Sequence, residues 1–478
     1  MKTMNLNKKM KYKQKKSIVT KMFATILSVV AVLFSIGCEA PPANSANTTV
    51  SLNTNTTGGE TNNAPTAASI ENKELAMRMP VTLPVLDAMF GDENFANELK
   101  MKIQLTDEQV DNLKRLSREA VANLNEDEAD EDTRSTRAAT QRADQKIREL
   151  LGEQKAAQLY SFVRERWSNE EMADNKNNST SAPNSIPTDT RIVVNAPAYR
   201  MDIFQEGKLV KSYKIGIGYP EFPLPGGMRK ADTIIFNPTW TPPDEPWVKG
   251  NVRAGKTVEA GSKDNPLGPI KIPIGLPSLI HGGKAPAKLG GFASHGCVGM
   301  TSPQVQDFAI ELAKISELVL TPEDVKNYEK QKTETKNVKL NKSIPVELRY
   351  ETIVVENGKL KIYRDVYERG TNTEENLQKV LQVYGVSLDE LAPPEREKIL
   401  AGLKQMAIDA TGNPVDANEN SNSNSAESNK TSTNNSNSKN NSNSKDASVT
   451  RSIKGKKEIS FDLALLKGKG YPSPIGIK

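Results

Sequence analysis

Residues 280–298 read IHGGKAPAKLGGFASHGCV, and this stretch decides how the rest of the chain is understood. It holds both histidines of the protein, His281 and His295, and one of its two cysteines, Cys297. Two histidines scattered at random over 478 residues would both fall within the given window 281–297 only about once in a thousand arrangements. A thiol attacks a carbonyl as the thiolate, and free cysteine titrates near about 8.5. A neighbouring imidazole is therefore needed to take the proton and return it to a leaving amine. An acyl intermediate also needs donors for its oxyanion. Gly296, with no side chain, lets backbone N–H groups turn toward that oxygen. A zinc site is a poor alternative, because one cysteine and two histidines fall short of the four ligands of a structural site. Redox chemistry wants a paired thiol, and the segment offers none. No metal and no cofactor is expected.

Around this segment the pattern is strand-like. Arg191–Asn195, Met201–Phe204, Leu209–Ile217 and Thr233–Phe236 are short β-branched runs separated by Gly and Pro. Glu206-Gly207 and Asn357-Gly358 are hairpin turns. One amphipathic helix interrupts, Pro303–Ile315, with Val305, Phe308, Ala309, Leu312 and Ala313 on one face. The expected fold class is multidomain α+β: a mostly-β catalytic domain with one main helix, preceded by an α-helical hairpin module, with disordered linkers.

Ile280-His281-Gly282, followed by Ser294-His295-Gly296-Cys297-Val298, resembles the signature of the L,D-transpeptidase (YkuD-type) catalytic domain. Further matches are Val193, Asn195-Ala196-Pro197 and Tyr199 with Gly207-Lys208, then Gly216 and Gly218, Pro223, Pro225 and Gly227, and Asn265-Pro266-Leu267-Gly268. The resemblance covers about residues 190–322, with a β-rich extension over 323–370. It implies that Cys297 attacks the carbonyl at the L-centre of a diamino acid in a peptidoglycan stem peptide and releases D-alanine. The acyl group then passes to an amine, giving a 3→3 cross-link. It implies His281 as the base, oriented by the Gly282 carbonyl, and backbone amides of His295, Gly296 and Cys297 as the oxyanion hole. Ser294 and His295 would shape the pocket, and carbapenems would acylate the thiol. In one respect the chain departs from the family: Gly299 stands where Arg or Asn is usual, two residues after the cysteine. Lys284 and Lys288 are the nearby cations that could compensate. The same acyl-enzyme with water or a protein lysine as acceptor is the alternative reaction. A non-catalytic wall-binding lipoprotein is the alternative from outside enzymology.

The N-terminus reads as an export signal over residues 1–38: lysines crowd residues 2–21, and Met22–Gly37 is largely apolar. Ser35-Ile36-Gly37-Cys38 resembles a bacterial lipobox, which implies lipidation of Cys38 and an anchor at the periplasmic face of a membrane. Glu39 favours the outer membrane. Cys297 would then be a lone thiol in an oxidising compartment, an oddity that a reactive role explains. Residues 39–74 are a Pro/Asn/Thr/Ser-rich tether. The net charge of +5 is too weak and dispersed for nucleic acid.

Over 75–168, Thr106 and Gln109 form a capping box that opens a helix, with apolar residues following at Val110, Leu113, Leu116 and Val121. The acidic run Glu126–Asp132 interrupts, and a second helix is predicted from Thr133 to Trp167. Leu105–Gln109 is similar to the LTxxQ signature of small periplasmic proteins, with Leu151-Gly152-Glu153-Gln154 as a decayed second copy. A partner for this module is not readable. Residues 169–189 are linker, 371–410 a short helical appendage, 411–452 an Asn/Ser-rich disordered stretch and 453–478 a basic tail. Tyr384–Leu391 resembles the helix–turn–helix middle of a LysM module, but no flanking strands are recognisable nearby.

Overall fold

The structure, a computed structural model, describes residues 78–122, 135–168, 182–242, 253, 255–275, 277–410, 412–415 and 452–477. The export signal with Cys38, the tether, the acidic run and most of the stretches 169–189 and 411–452 lie outside the described residues.

Helix α1 spans Leu83–Met89, α2 Glu93–Ile103, α3 Asp107–Ala122 and α4 Thr136–Ser168. The expected hairpin is thus the larger half of a four-helix module, because residues before Leu105 add two short helices. Each start is capped as its sequence demands. The Thr82 side chain accepts from Val85 N, and that of Asp92 accepts from Asn94 N. In the capping box, Thr106 N donates to Gln109 Oε1 and Gln109 N to Thr106 Oγ1, each at 3.1 Å. Gly152 breaks α4 at φ 75, ψ 164, so Leu151 and Leu105 are both buried leucines immediately before a helix start. Lys155 Nζ joins the two starts through Gln104 O (3.2 Å) and Gln109 Oε1 (2.7 Å). Leu86, Phe95, Leu99, Leu113, Ile147 and Leu159 fill the core between the helices. Full burial of such side chains contributes about 1.5–3 kcal/mol each.

The β-rich region runs β1 Arg191–Asn195, β2 Arg200–Gln205, β3 Lys208–Lys214, β4 Ile217–Gly218, β5 Gly227–Phe236, β6 Ile270–Pro273, β7 Leu279–His281, β8 Phe292–Ser294 and β9 Val298–Gly299. Helices α5 Ser302–Ile315 and α6 Pro322–Lys330 and strand β10 Lys336–Arg349 follow. One eight-stranded sheet has the order β3-β2-β1-β10-β5-β6-β7-β9, and β4 pairs separately with β8. The β2–β3 hairpin turns at Glu206 (φ 49) and Gly207 (φ 78), the two left-handed residues of a type I′ turn. Helix α5 opens on a Thr301/Gln304 capping box and buries Val305, Phe308, Ala309, Leu312 and Ala313, the face read from its spacing. The extension after residue 322 is no appendage. Its strand β10 lies between β1, to which it is parallel, and β5.

Strands β11 Ile353–Glu356 and β12 Lys359–Tyr363 precede helices α7 Glu374–Val383 and α8 Pro393–Met406, and β13 Glu458–Asp462 follows them. The turn between β11 and β12 is left-handed at Asn357 (φ 46) and Gly358 (φ 81), as its sequence predicts. Strand β13 pairs antiparallel with β12 across the Asn/Ser-rich stretch. The helical appendage therefore does have flanking strands: it sits in a β-α-α-β arrangement, closed by the basic tail. Leu360, Ile362, Leu377, Leu381, Ile399, Leu403, Leu463 and Leu466 form its core. Among the described residues, no helix is long and apolar enough to cross a membrane.

Candidate active site

Strands β7 and β9 are neighbours and parallel, with Ile280 opposite Val298 and His281 opposite Gly299. Cys297 lies in the bend that leads directly into β9, so it immediately precedes the strand paired with the one that ends at His281. The eleven residues between Gly282 and Ser294 loop out and return, which is how residues sixteen apart in sequence come to adjoin paired strands.

His281 is buried, 3% exposed, and its Nδ1 lies 2.8 Å from Gly282 O. A carbonyl only accepts, so Nδ1 carries the proton and Nε2 keeps its lone pair. Burial pushes the imidazole down to about 3, and the nearby Lys284 charge adds to this; hydrogen bonding to the Gly282 and Leu267 backbone acts the other way. The ring is therefore neutral at neutral pH. Gly282 cannot carry a side chain here, since a Cβ would meet Val305 Cγ1 at 2.7 Å and Pro269 Cδ at 3.2 Å. Helix α5 thus presses directly on the backbone that orients the imidazole.

Cys297 is a free, half-buried thiol. Burial raises its pKa, while hydrogen bonding to the Leu279 backbone and the Lys284 charge lower it. Cys297 N donates to Ser294 Oγ at 3.0 Å, and Ser294 Oγ donates to Cys297 O. That amide is thus engaged by Ser294, against the expectation that it joins an oxyanion hole. Ser294 holds the turn rather than standing open in a pocket. Gly296 has φ 87, the left-handed region that favours glycine, and its carbonyl accepts from the buried Ser278 hydroxyl at 2.9 Å. The His295 ring packs edge-on against Phe222 (4.8 Å between centroids) and Tyr219 (5.2 Å).

Residues 189–319 match the family model of the YkuD L,D-transpeptidase catalytic domain. Among solved structures, the chain is similar to the catalytic domain of an E. faecium L,D-transpeptidase, with 19% identity over 34% of this chain and 100% of that one, at a TM-score of 0.22. It is also similar to an L,D-transpeptidase from Mycobacterium smegmatis (14% identity, 34% of this chain, 58% of that one, TM-score 0.21). A third is an L,D-transpeptidase from Mycobacterium tuberculosis H37Rv (15% identity, 34% and 57% coverage, TM-score 0.19). The chain thus spans just over half the length of the two mycobacterial chains. No curated protein matches it.

The Asn265–Gly268 match gains a structural role at the candidate site, and other residues that shape it escape sequence reading. Leu267 contributes only backbone to His281, and Asn265 positions that turn: its Oδ1 accepts from Leu267 N (3.0 Å) and its Nδ2 donates to Pro238 O (2.7 Å). No motif marks Ser278. The helical module also reaches the site's rim. The Thr82 hydroxyl donates to Glu221 O and that of Thr136 to Pro220 O (2.7 Å), bracing the Tyr219–Phe222 turn that packs on His295. Tyr367, beyond the family match, donates its hydroxyl to Gly218 O at 2.8 Å.

Proposed function

We propose that the protein is a cysteine acyltransferase acting on peptidoglycan stem peptides, with Cys297 as nucleophile and His281 as base. The observation that supports this is the parallel pairing of β7, which ends at His281, with β9, which Cys297 immediately precedes, together with an imidazole held neutral by burial and its Nδ1 anchored to Gly282 O. In the first step the S–H proton moves to His281 Nε2 as sulfur attacks the stem carbonyl. Collapse of the intermediate breaks the C–N bond, and the imidazolium returns its proton to the departing D-alanine amine. An incoming side-chain amine then attacks the thioester, gives up its proton to His281, and leaves a 3→3 cross-link with the free thiol restored. The Gly296 and His295 amides are the oxyanion donors in this reading, since Ser294 engages that of Cys297.

The test is mass spectrometry of the protein with a purified tetrapeptide stem and, separately, with a carbapenem. The expected outcomes are a dimeric product lacking one D-alanine, and a covalent adduct on Cys297 that Cys297→Ala abolishes. Absence of both would refute the assignment; D-alanine release without dimer would identify water as acceptor. In the same reading Cys38 is the lipid attachment point, and Cys38→Ala releases the protein from the membrane fraction.

A further inference from the structure

Gly299 stands where the resemblance leads one to expect Arg or Asn, and its backbone does not explain the glycine. Its φ lies outside the left-handed region, and it sits in strand β9 like any L-residue. What the glycine leaves is room, and a specific side chain takes it. A Cβ on residue 299 would stand 2.9 Å from Lys284 Cγ and 3.3 Å from Lys284 Cε. Lys284 N donates to Met300 O at 3.0 Å, so the lysine stem begins beside β9 and runs across Gly299.

The Lys284 charge acts on both Cys297 and His281. The charges that act on it in turn are the Cys297 sulfur and the Lys288 ammonium; no carboxylate among the described residues is one of them. A half-buried cation with no carboxylate partner among the described residues, lying over the strand that Cys297 immediately precedes, has one anion to stabilise: the thiolate. We propose that Lys284 is a positioning residue that supplies, through the space vacated at Gly299, a positive charge such as an Arg at residue 299 would bring. This rests on Cys297 being the nucleophile. When S–H breaks and the proton goes to His281 Nε2, Lys284 stabilises the sulfur anion. The same charge disfavours the imidazolium, so His281 hands the proton on to the leaving amine instead of retaining it.

The test is the pH dependence of Cys297 alkylation by iodoacetamide, a neutral reagent, in the full chain, read on the peptide that holds Cys297. Removing an adjacent charge moves a pKa by about one unit or more. Lys284→Met should therefore shift the alkylation midpoint upward by about one pH unit and slow alkylation about tenfold at neutral pH. Lys284→Arg should keep the parent profile. In the double variant Lys284→Ala with Gly299→Arg, the cation returns from β9 itself and the midpoint should return with it. A Lys284→Met profile superimposable on the parent overturns the proposal, as does a shift that Lys284→Arg shows equally. Lys284→Gln, which keeps a polar stem, replaces Lys284→Met should the latter lower the melting temperature. Alkylation needs no stem peptide. A chain that shows the shift but turns over no stem refutes the proposed reaction alone; one that turns over stem without the shift refutes only the role of Lys284.

Discussion

Acylation of Cys297 should be insensitive to acid far below the range in which histidine bases normally fail. The His281 imidazole is pushed down to about 3 from an ordinary 6.5, chiefly because it is buried. At about pH 5, a base titrating at 6.5 would be only about 3% neutral, whereas one titrating near 3 is about 99% neutral, a difference of about 30-fold. The assay is the rate of covalent adduct formation with a carbapenem, followed by intact mass between about pH 8 and pH 5. A nearly flat rate is expected. A fall of about 30-fold over that range would refute the reasoning, because it would mean either an ordinary histidine or a thiolate formed in advance of attack. The same burial acts on stability. The folded-state pKa is depressed, so the unfolded chain binds the proton first as pH falls below 6.5, and stability drops from there down to about 3. The loss has an upper bound of about 5 kcal/mol, and His281→Gln should remove that part of the pH dependence of chemical denaturation.

Three further perturbations probe the frame of the site. Gly282→Ala forces a Cβ to within 2.7 Å of Val305 Cγ1; a loss of about 1–3 kcal/mol is expected, with slower adduct formation in the fraction that folds, both measurable by urea denaturation and mass spectrometry. Ser278→Ala removes the buried hydroxyl bonded to Gly296 O and should cost about 1–3 kcal/mol in thermal melting while lowering the acylation rate more than stem affinity. Leu463→Ala hollows the core beneath α7 and α8; about 2–5 kcal/mol should be lost locally, seen as faster hydrogen exchange in β12, with Cys297 acylation retained.

Linear pattern names the candidate site and the local elements. Clustering of His281, His295 and Cys297 marked the site, and periodicity placed α5 with its buried face. Turn residues placed both hairpins, and the Thr106/Gln109 pair fixed the start of α3. These are contacts between residues a few positions apart, and near-neighbour rules read them directly. Tertiary structure decided what depends on distant partners: β10 entering between β1 and β5, β13 returning to β12, and the helical module bracing the turn against His295. It also decided which lysine lies over Gly299 and that Ser294 engages the Cys297 amide. Strand partners and electrostatic neighbours are chosen by the burial of whole faces, and a linear pattern carries that information only in sum.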